Sequence, residues 1–164
     1  MARDHGGGLD GAAALFGGAR GDWIDLSTGI NPVPYPVGDF TQSDWTALPD
    51  AGALDALTQA ARSFWQVPEG AAILPAPGAS SLIARIPALI KATNVDIPAP
   101  TYNEHAAAFE AQGWTVSDQK PQARVLVHPN NPDGRLWQGP DANAPLTIID
   151  ESFCDIAPDA SLIH

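Results

Sequence analysis

The sequence predicts an α/β fold, a mainly parallel, doubly wound sheet with flanking helices. Val125–Gly134 (VLVHPNNPDG) and Leu146–Phe153 (LTIIDESF) each begin as a short β-branched, apolar run and end in polar residues. That is the pattern of a buried parallel strand delivering chemistry from its carboxyl end. From Ala71 onward, strand-like runs alternate with helical patterns. The connections between them are short, as in successive βα units.

Taken in order, residues 1–22 are rich in glycine and alanine and show little periodicity. Gly6 to Gly11 spells a literal G-x-G-x-x-G, but only five residues precede it, too few for the strand a dinucleotide fingerprint needs. Asp25–Pro32 (DLSTGINP) and the VPYP after it read as extended and turn-rich. From Gly52 to Trp65, the residues Leu54, Leu57, Ala61, Phe64 and Trp65 follow helical spacing, predicting an amphipathic helix packed on the sheet. Ala71–Leu74 reads as a short strand.

Pro77-Gly78-Ala79-Ser80-Ser81 stands directly before a second helical pattern of Leu82, Ile83, Ile86, Leu89 and Ile90. A small-residue turn opening a helix leaves backbone N–H groups aimed at an anion, although serine there reads equally as a plain cap. Pro87 should kink this helix or sit in an irregular part of it. Val95–Pro98 is the next strand. Thr101 and Glu104 have capping-box spacing for a helix that Gly113 stops, with Phe109 in the core. Trp114–Val116 is a further strand. In Val125–Gly134, two prolines and a glycine end the strand in a rigid turn.

Composition narrows the function classes. A chain of 164 residues with 45% hydrophobic residues can build one ordinary core. A net charge of −11 argues against a nucleic-acid partner, which would need clustered Lys and Arg. No apolar run reaches the ~20 residues of a membrane span, and MARDHGGG has no apolar leader. The one cysteine, Cys154, excludes an internal disulfide and fits a reducing, cytoplasmic setting.

Asp150 and Glu151 lie at the edge of an apolar layer, where a buried carboxylate needs a cationic partner. Neither run supplies one, which points to a cationic ligand. LTIIDE has the form of a Walker B strand, but neither Lys91 nor Lys120 lies in a G-K-[ST] loop. Gly78-Ala79-Ser80-Ser81-Leu82 lacks the second glycine of a hydrolase elbow. The four histidines show no metal-ligand spacing, so no metal is expected. A non-enzymatic interaction domain is the remaining alternative class.

NNPDG followed by IIDESF resembles the fold-type I pyridoxal-phosphate (PLP) enzymes, nearest the histidinol-phosphate aminotransferase and threonine-phosphate decarboxylase branch. The resemblance implies PLP as cofactor, with Asn131 on its ring oxygen and Asp150 on its pyridine nitrogen. It places Tyr102, the aromatic after Pro-Thr, on the ring face; a plain core tyrosine is the other reading. It places the cofactor phosphate in the turn of Gly78, Ala79 and Ser80. The HGG start and DLSTGINP resemble the decarboxylase branch. There His5 would cover the substrate's phosphate, unless it is simply a mobile terminal residue, and main-chain groups near Gly29, Ile30 and Asn31 would face the substrate. The implied reaction is decarboxylation of L-threonine O-3-phosphate to an aminopropanol phosphate in cobalamin biosynthesis, with histidinol-phosphate transamination as the alternative.

The resemblance divides the chain into an N-terminal substrate-lid segment, 1–50, and the first part of a PLP-binding large domain, 51–164. It covers about the first half of a family member. The lysine that holds the cofactor follows the aspartate in a Ser-x-x-Lys context in this family, whereas both lysines here, Lys91 and Lys120, precede Asp150. A fragment of a longer protein is therefore expected ahead of a truncated gene product, inactive alone and a homodimer when complete. Phe153 stands where many relatives carry a tyrosine, so it can pack but cannot donate to Asn131.

Overall fold

The computed structural model describes residues 6–139 and 144–164. The chain forms two compact units, Met1–Ala47 and Leu48–His164. In the first, helix α1 (Leu9–Phe16) ends at Gly17, whose φ of 81° suits glycine. Arg20 pairs with Asp10 at 2.6 Å, and Phe16 lies 6.3 Å from Trp23 between ring centroids. Helix α2 (Gln42–Thr46) begins with a capping box, Asp44 accepting from the Thr41 N–H at 2.6 Å. Neither helix was expected from periodicity. Both are short and bury no residue, so neither needs the apolar stripe that periodicity detects.

The second unit is the α/β layer. Helix α3 (Ala51–Phe64) starts where Asp50 accepts from the Ala53 N–H at 3.0 Å. Its position matches expectation, but its packing does not. Leu54 and Leu57 are about half exposed and Phe64 is 71% exposed, so the stripe is not laid on the sheet. Ala71–Leu74 is not a strand either. Instead the Arg62 guanidinium donates to the Val67, Pro68 and Ala71 carbonyls, tying this segment to α3 through a side chain. A β-ladder would have paired the Ala71 carbonyl with a backbone N–H group. Helix α4 (Ala79–Ile83) is followed by a 3-10 turn, Ile86–Ala88, holding buried Pro87, the predicted interruption.

Strands β1 (Asn94–Asp96), β2 (Thr115–Val116), β3 (Ala123–Val127) and β4 (Leu146–Asp150) form one parallel sheet in the order β2-β1-β3-β4. The chain winds one way from β1 to β2 through α5 (Asn103–Ala111), then resumes on the other side of β1. That reversal is the doubly wound arrangement, and ligands in such sheets bind beyond the strand carboxyl ends where the direction switches. Val95, Ile97, Phe109, Trp114, Ala123 and Val125 make the core, with Phe109 and Trp114 edge to face at 4.9 Å. Gly113, φ 81°, stops α5 as predicted and turns the chain into Trp114. β3 is almost wholly buried, as its apolar run requires, whereas β4 is half-buried throughout.

Candidate functional site

Register brings the two motif strands out level. β3 and β4 pair from Ala123–Leu146 through Val127–Asp150, and the His128 N–H continues the ladder to the Asp150 carbonyl at 2.8 Å. One sheet edge therefore carries the turn 128–135 and the Asp150 carboxylate side by side. The loop after β1, carrying Thr101 and Tyr102, joins them from across the switch point. The Thr101 hydroxyl donates to Asn130 Oδ1 at 2.6 Å, and Asn130 Nδ2 donates to the Pro100 carbonyl at 3.0 Å.

Asp150 has a cationic-capable partner within the chain, contrary to the expectation that only a ligand could supply one. His105 Nε2 lies 2.9 Å from Asp150 Oδ2, and the imidazole is 1% exposed. The partner was hidden because it sits 45 residues away, in the first turn of α5. One signal was available. His105 and Phe109 are four apart, so the helix face that enters the core must also deliver the histidine to the sheet. The spacing read as a capping box does not act as one. Tyr102 caps α5 without a side-chain bond, and the Thr101 hydroxyl is committed to Asn130.

Burial alone would raise the pKa of Asp150, but hydrogen bonds from His105 and from the Ser152 hydroxyl and N–H outweigh it and lower the carboxyl. The ionised form therefore stabilises the fold above the ordinary carboxylate range near ~4, and this contribution is lost as pH falls through the folded-state value. Urea unfolding from pH 7 down to 3 should show the native chain losing stability on acidification more steeply than Asp150→Asn. Parallel curves would show that the carboxyl is not linked to folding.

The other predicted residues fall in several places. Tyr102 is half-buried, its ring edge-on to His105 at 6.2 Å. Asn131 is half-buried in the turn beyond β3, one residue after fully engaged Asn130. Gly78, with φ of 86°, precedes α4, and Gly78, Ala79 and Ser80 are exposed. Ser81 donates back to the Gly78 carbonyl at 2.7 Å, closing the turn locally. α4 is held on α5 through Gln112 Nε2 and the Ala84 carbonyl at 3.0 Å. His5 lies outside the described residues.

Gly29, Ile30 and Asn31 are exposed in the first unit, where Asn31 Oδ1 accepts from the Val33 N–H at 2.9 Å. That unit does bring its two motifs together. The Gly7 N–H donates to Ser27 Oγ at 2.7 Å, and a Cβ on Gly6 would lie 2.6 Å from the Ser27 carbonyl oxygen and hydroxyl. With φ of 75°, Gly6 is a position that only glycine fits.

His128, Glu151 and Cys154 gather their donor atoms within 4.8 Å of one another, a grouping the sequence spacing does not reveal. The His128 ring is already committed. Nδ1 accepts from the Trp137 N–H at 2.9 Å, so Nε2 must carry the proton it donates to the Ala160 carbonyl at 2.7 Å. No ring lone pair is left for a metal. Glu151 accepts from the Ser161 hydroxyl and the Leu162 N–H. The cluster ties the chain after β4 to the turn after β3, and burial raises the Cys154 thiol pKa, with Glu151 and Asp155 adding to the shift. No helix of the described residues is long and apolar enough to cross a membrane.

No protein-family model matches the chain. Two curated proteins do. A threonine-phosphate decarboxylase from Sinorhizobium sp is 37% identical across 96% of this chain and 53% of its own length. A threonine-phosphate decarboxylase from Pseudomonas aeruginosa is 30% identical across 97% of this chain and 52% of its own. The chain thus spans about half the length of the curated relatives it matches. Over nearly its whole length the chain is similar to about half of each threonine-phosphate decarboxylase, and its four-stranded parallel sheet, with β4 ending in Asp150, is consistent with part of a fold-type I PLP enzyme domain.

Proposed function

We propose that this chain supplies the cofactor-binding half of a PLP-dependent decarboxylase acting on L-threonine O-3-phosphate. The observation that carries the reading is the Asp150 carboxylate, kept ionised at the carboxyl end of β4 and aligned by buried His105. The donor set fits PLP. His105 and Ser152 each take one carboxylate oxygen, and a carboxylate has lone pairs for a further donor such as a pyridinium N–H. Tyr102 would cover the ring face, Asn131 would donate to the ring oxygen, and the Gly78–Ser80 turn would take the phosphate. When bound, PLP supplies an electron sink for the pair released as a bond at the substrate's α-carbon breaks. Asp150 serves that sink by holding the ring-nitrogen proton, with His105 fixing the carboxylate's orientation.

The substrate-side role of His5, Gly29, Ile30 and Asn31 rests on the resemblance, as does the homodimer, and the cytoplasmic location rests on composition. The names of both relatives favour decarboxylation over the histidinol-phosphate aminotransferase alternative. In an active enzyme containing this chain, O-phosphothreonine and histidinol phosphate should be assayed separately for CO2 release and amino transfer. CO2 from O-phosphothreonine is expected. Amino transfer from histidinol phosphate alone would overturn the decarboxylase reading.

The 164-residue chain by itself should not hold PLP covalently. Lys91 and Lys120 are both exposed and both precede β4, whereas the resemblance puts the cofactor lysine after the aspartate. Mixing the chain with PLP and borohydride and mapping adducts by mass spectrometry should give only scattered, substoichiometric labelling. One stoichiometric adduct at either lysine would put the cofactor site elsewhere.

A further inference from the structure

We propose that Asn130 is a positioning residue that sets Tyr102 and Asn131 at a fixed separation by locking the loop after β1 to the turn after β3. The proposal rests on the cofactor reading above, because it assigns what that separation is for. Asn130 is 3% exposed. Its own turn closes around it: its N–H donates to the Arg135 carbonyl at 2.9 Å, and its carbonyl accepts from the Gly134 N–H at 2.7 Å. Its side chain reaches both loops. Nδ2 donates to Asp133 Oδ1 at 2.7 Å within the turn and to the Pro100 carbonyl at 3.0 Å across the switch point. Oδ1 accepts from the Thr101 hydroxyl at 2.6 Å.

The two groups facing Nδ2 can only accept, so the amide's orientation is fixed by its partners. An aspartate here would set its carboxylate against a carbonyl and a second carboxylate. The chemistry of the site thus requires the amide. The residue following Thr101 is Tyr102, and the residue following Asn130 is Asn131. A single buried carboxamide therefore fixes the two groups that would meet the ring's face and its oxygen. The bond between His105 and Asp150 ties the same region independently, so losing Asn130 need not unfold the sheet edge.

The test compares three variants of the full chain. Thr101→Val keeps the side chain's shape and removes one of the two bonds that cross between the loops, leaving Asn130 Nδ2 on the Pro100 carbonyl. Asp133→Ala removes only bonds within the turn, from Asn130 Nδ2 and the Arg135 N–H, and Asn130→Ala removes the side-chain bonds to Thr101, Pro100 and Asp133 together. The chain has two tyrosines, Tyr35 and Tyr102, so fluorotyrosine labelling gives two fluorine NMR signals, assigned with Tyr35→Phe. The Tyr102 signal should move toward free tyrosine in Thr101→Val and Asn130→Ala but stay in place in Asp133→Ala.

PLP affinity, read from cofactor absorbance, should fall about tenfold in Thr101→Val, the scale of one buried hydrogen bond, and at least as much in Asn130→Ala. If Asn130→Ala fails to fold, Thr101→Val still carries the test. A Tyr102 signal that follows Asp133→Ala and ignores Thr101→Val overturns the lock. Unchanged PLP affinity in Thr101→Val, with the native chain binding PLP, overturns the positioning role and leaves the cofactor reading intact. The expected fluorine pattern with no PLP binding by the native chain overturns the cofactor reading and supports the lock.

Discussion

In an active enzyme containing this chain, Asp150→Asn is expected to slow turnover about a thousandfold. The substitution keeps the shape of the side chain and removes its charge. A carboxylate and a pyridinium about 4 Å apart, at an effective dielectric near 20, interact by roughly 4 kcal/mol, which corresponds to about three decades in rate. That interaction matters most when the ring receives electrons, so kcat should fall far more than cofactor affinity does. His105 approaches Asp150 Oδ2 at 2.9 Å and Ser152 holds Oδ1, so the asparagine would keep neighbours able to orient it. Single-turnover rates and PLP dissociation constants for the native and variant enzymes check this. Near-normal turnover in Asp150→Asn would remove Asp150 from the chemistry and the PLP reading of β4 with it.

The chemistry-bearing strands were legible in the sequence because their information is local. Val125–Val127 and Leu146–Ile149 are apolar runs bounded by polar residues, a trace left both by β3, buried between its neighbours, and by β4, half-buried at the sheet edge. Pro87 and Gly113 were legible for the same reason, since each restricts its own backbone. What could not be read was pairing at a distance. Arg62 takes the Ala71 carbonyl at the start of the expected strand, Thr101 leaves its apparent capping role for a side chain 29 residues on, and His105 meets Asp150 from another element. The α3 stripe shows the converse limit. Helical spacing predicts a helix and an apolar face, and both exist, but spacing does not say what covers that face.

Phe109→Ala should cost the second unit most of its stability. The ring is 1% exposed, in contact with the sheet core and edge-on to Trp114. Truncating a buried phenylalanine costs about 3–5 kcal/mol, against a total of roughly 5–15 kcal/mol for an ordinary domain. The site shares the loss, because Phe109 docks α5 on the sheet and His105 lies one turn earlier on the same face. Phe109→Leu, which keeps most of the volume, should cost about 1.5 kcal/mol or less and leave His105 against Asp150. Urea unfolding followed by tryptophan fluorescence measures both. The alanine variant should have its transition shifted to much lower urea or lost, and the leucine variant should keep the native pH dependence that Asp150 imposes. A cost below about 1 kcal/mol for Phe109→Ala would mean that α5 is not seated on the sheet. The placement of His105 on Asp150 would fall with it, since no other element carries that histidine to the strand end.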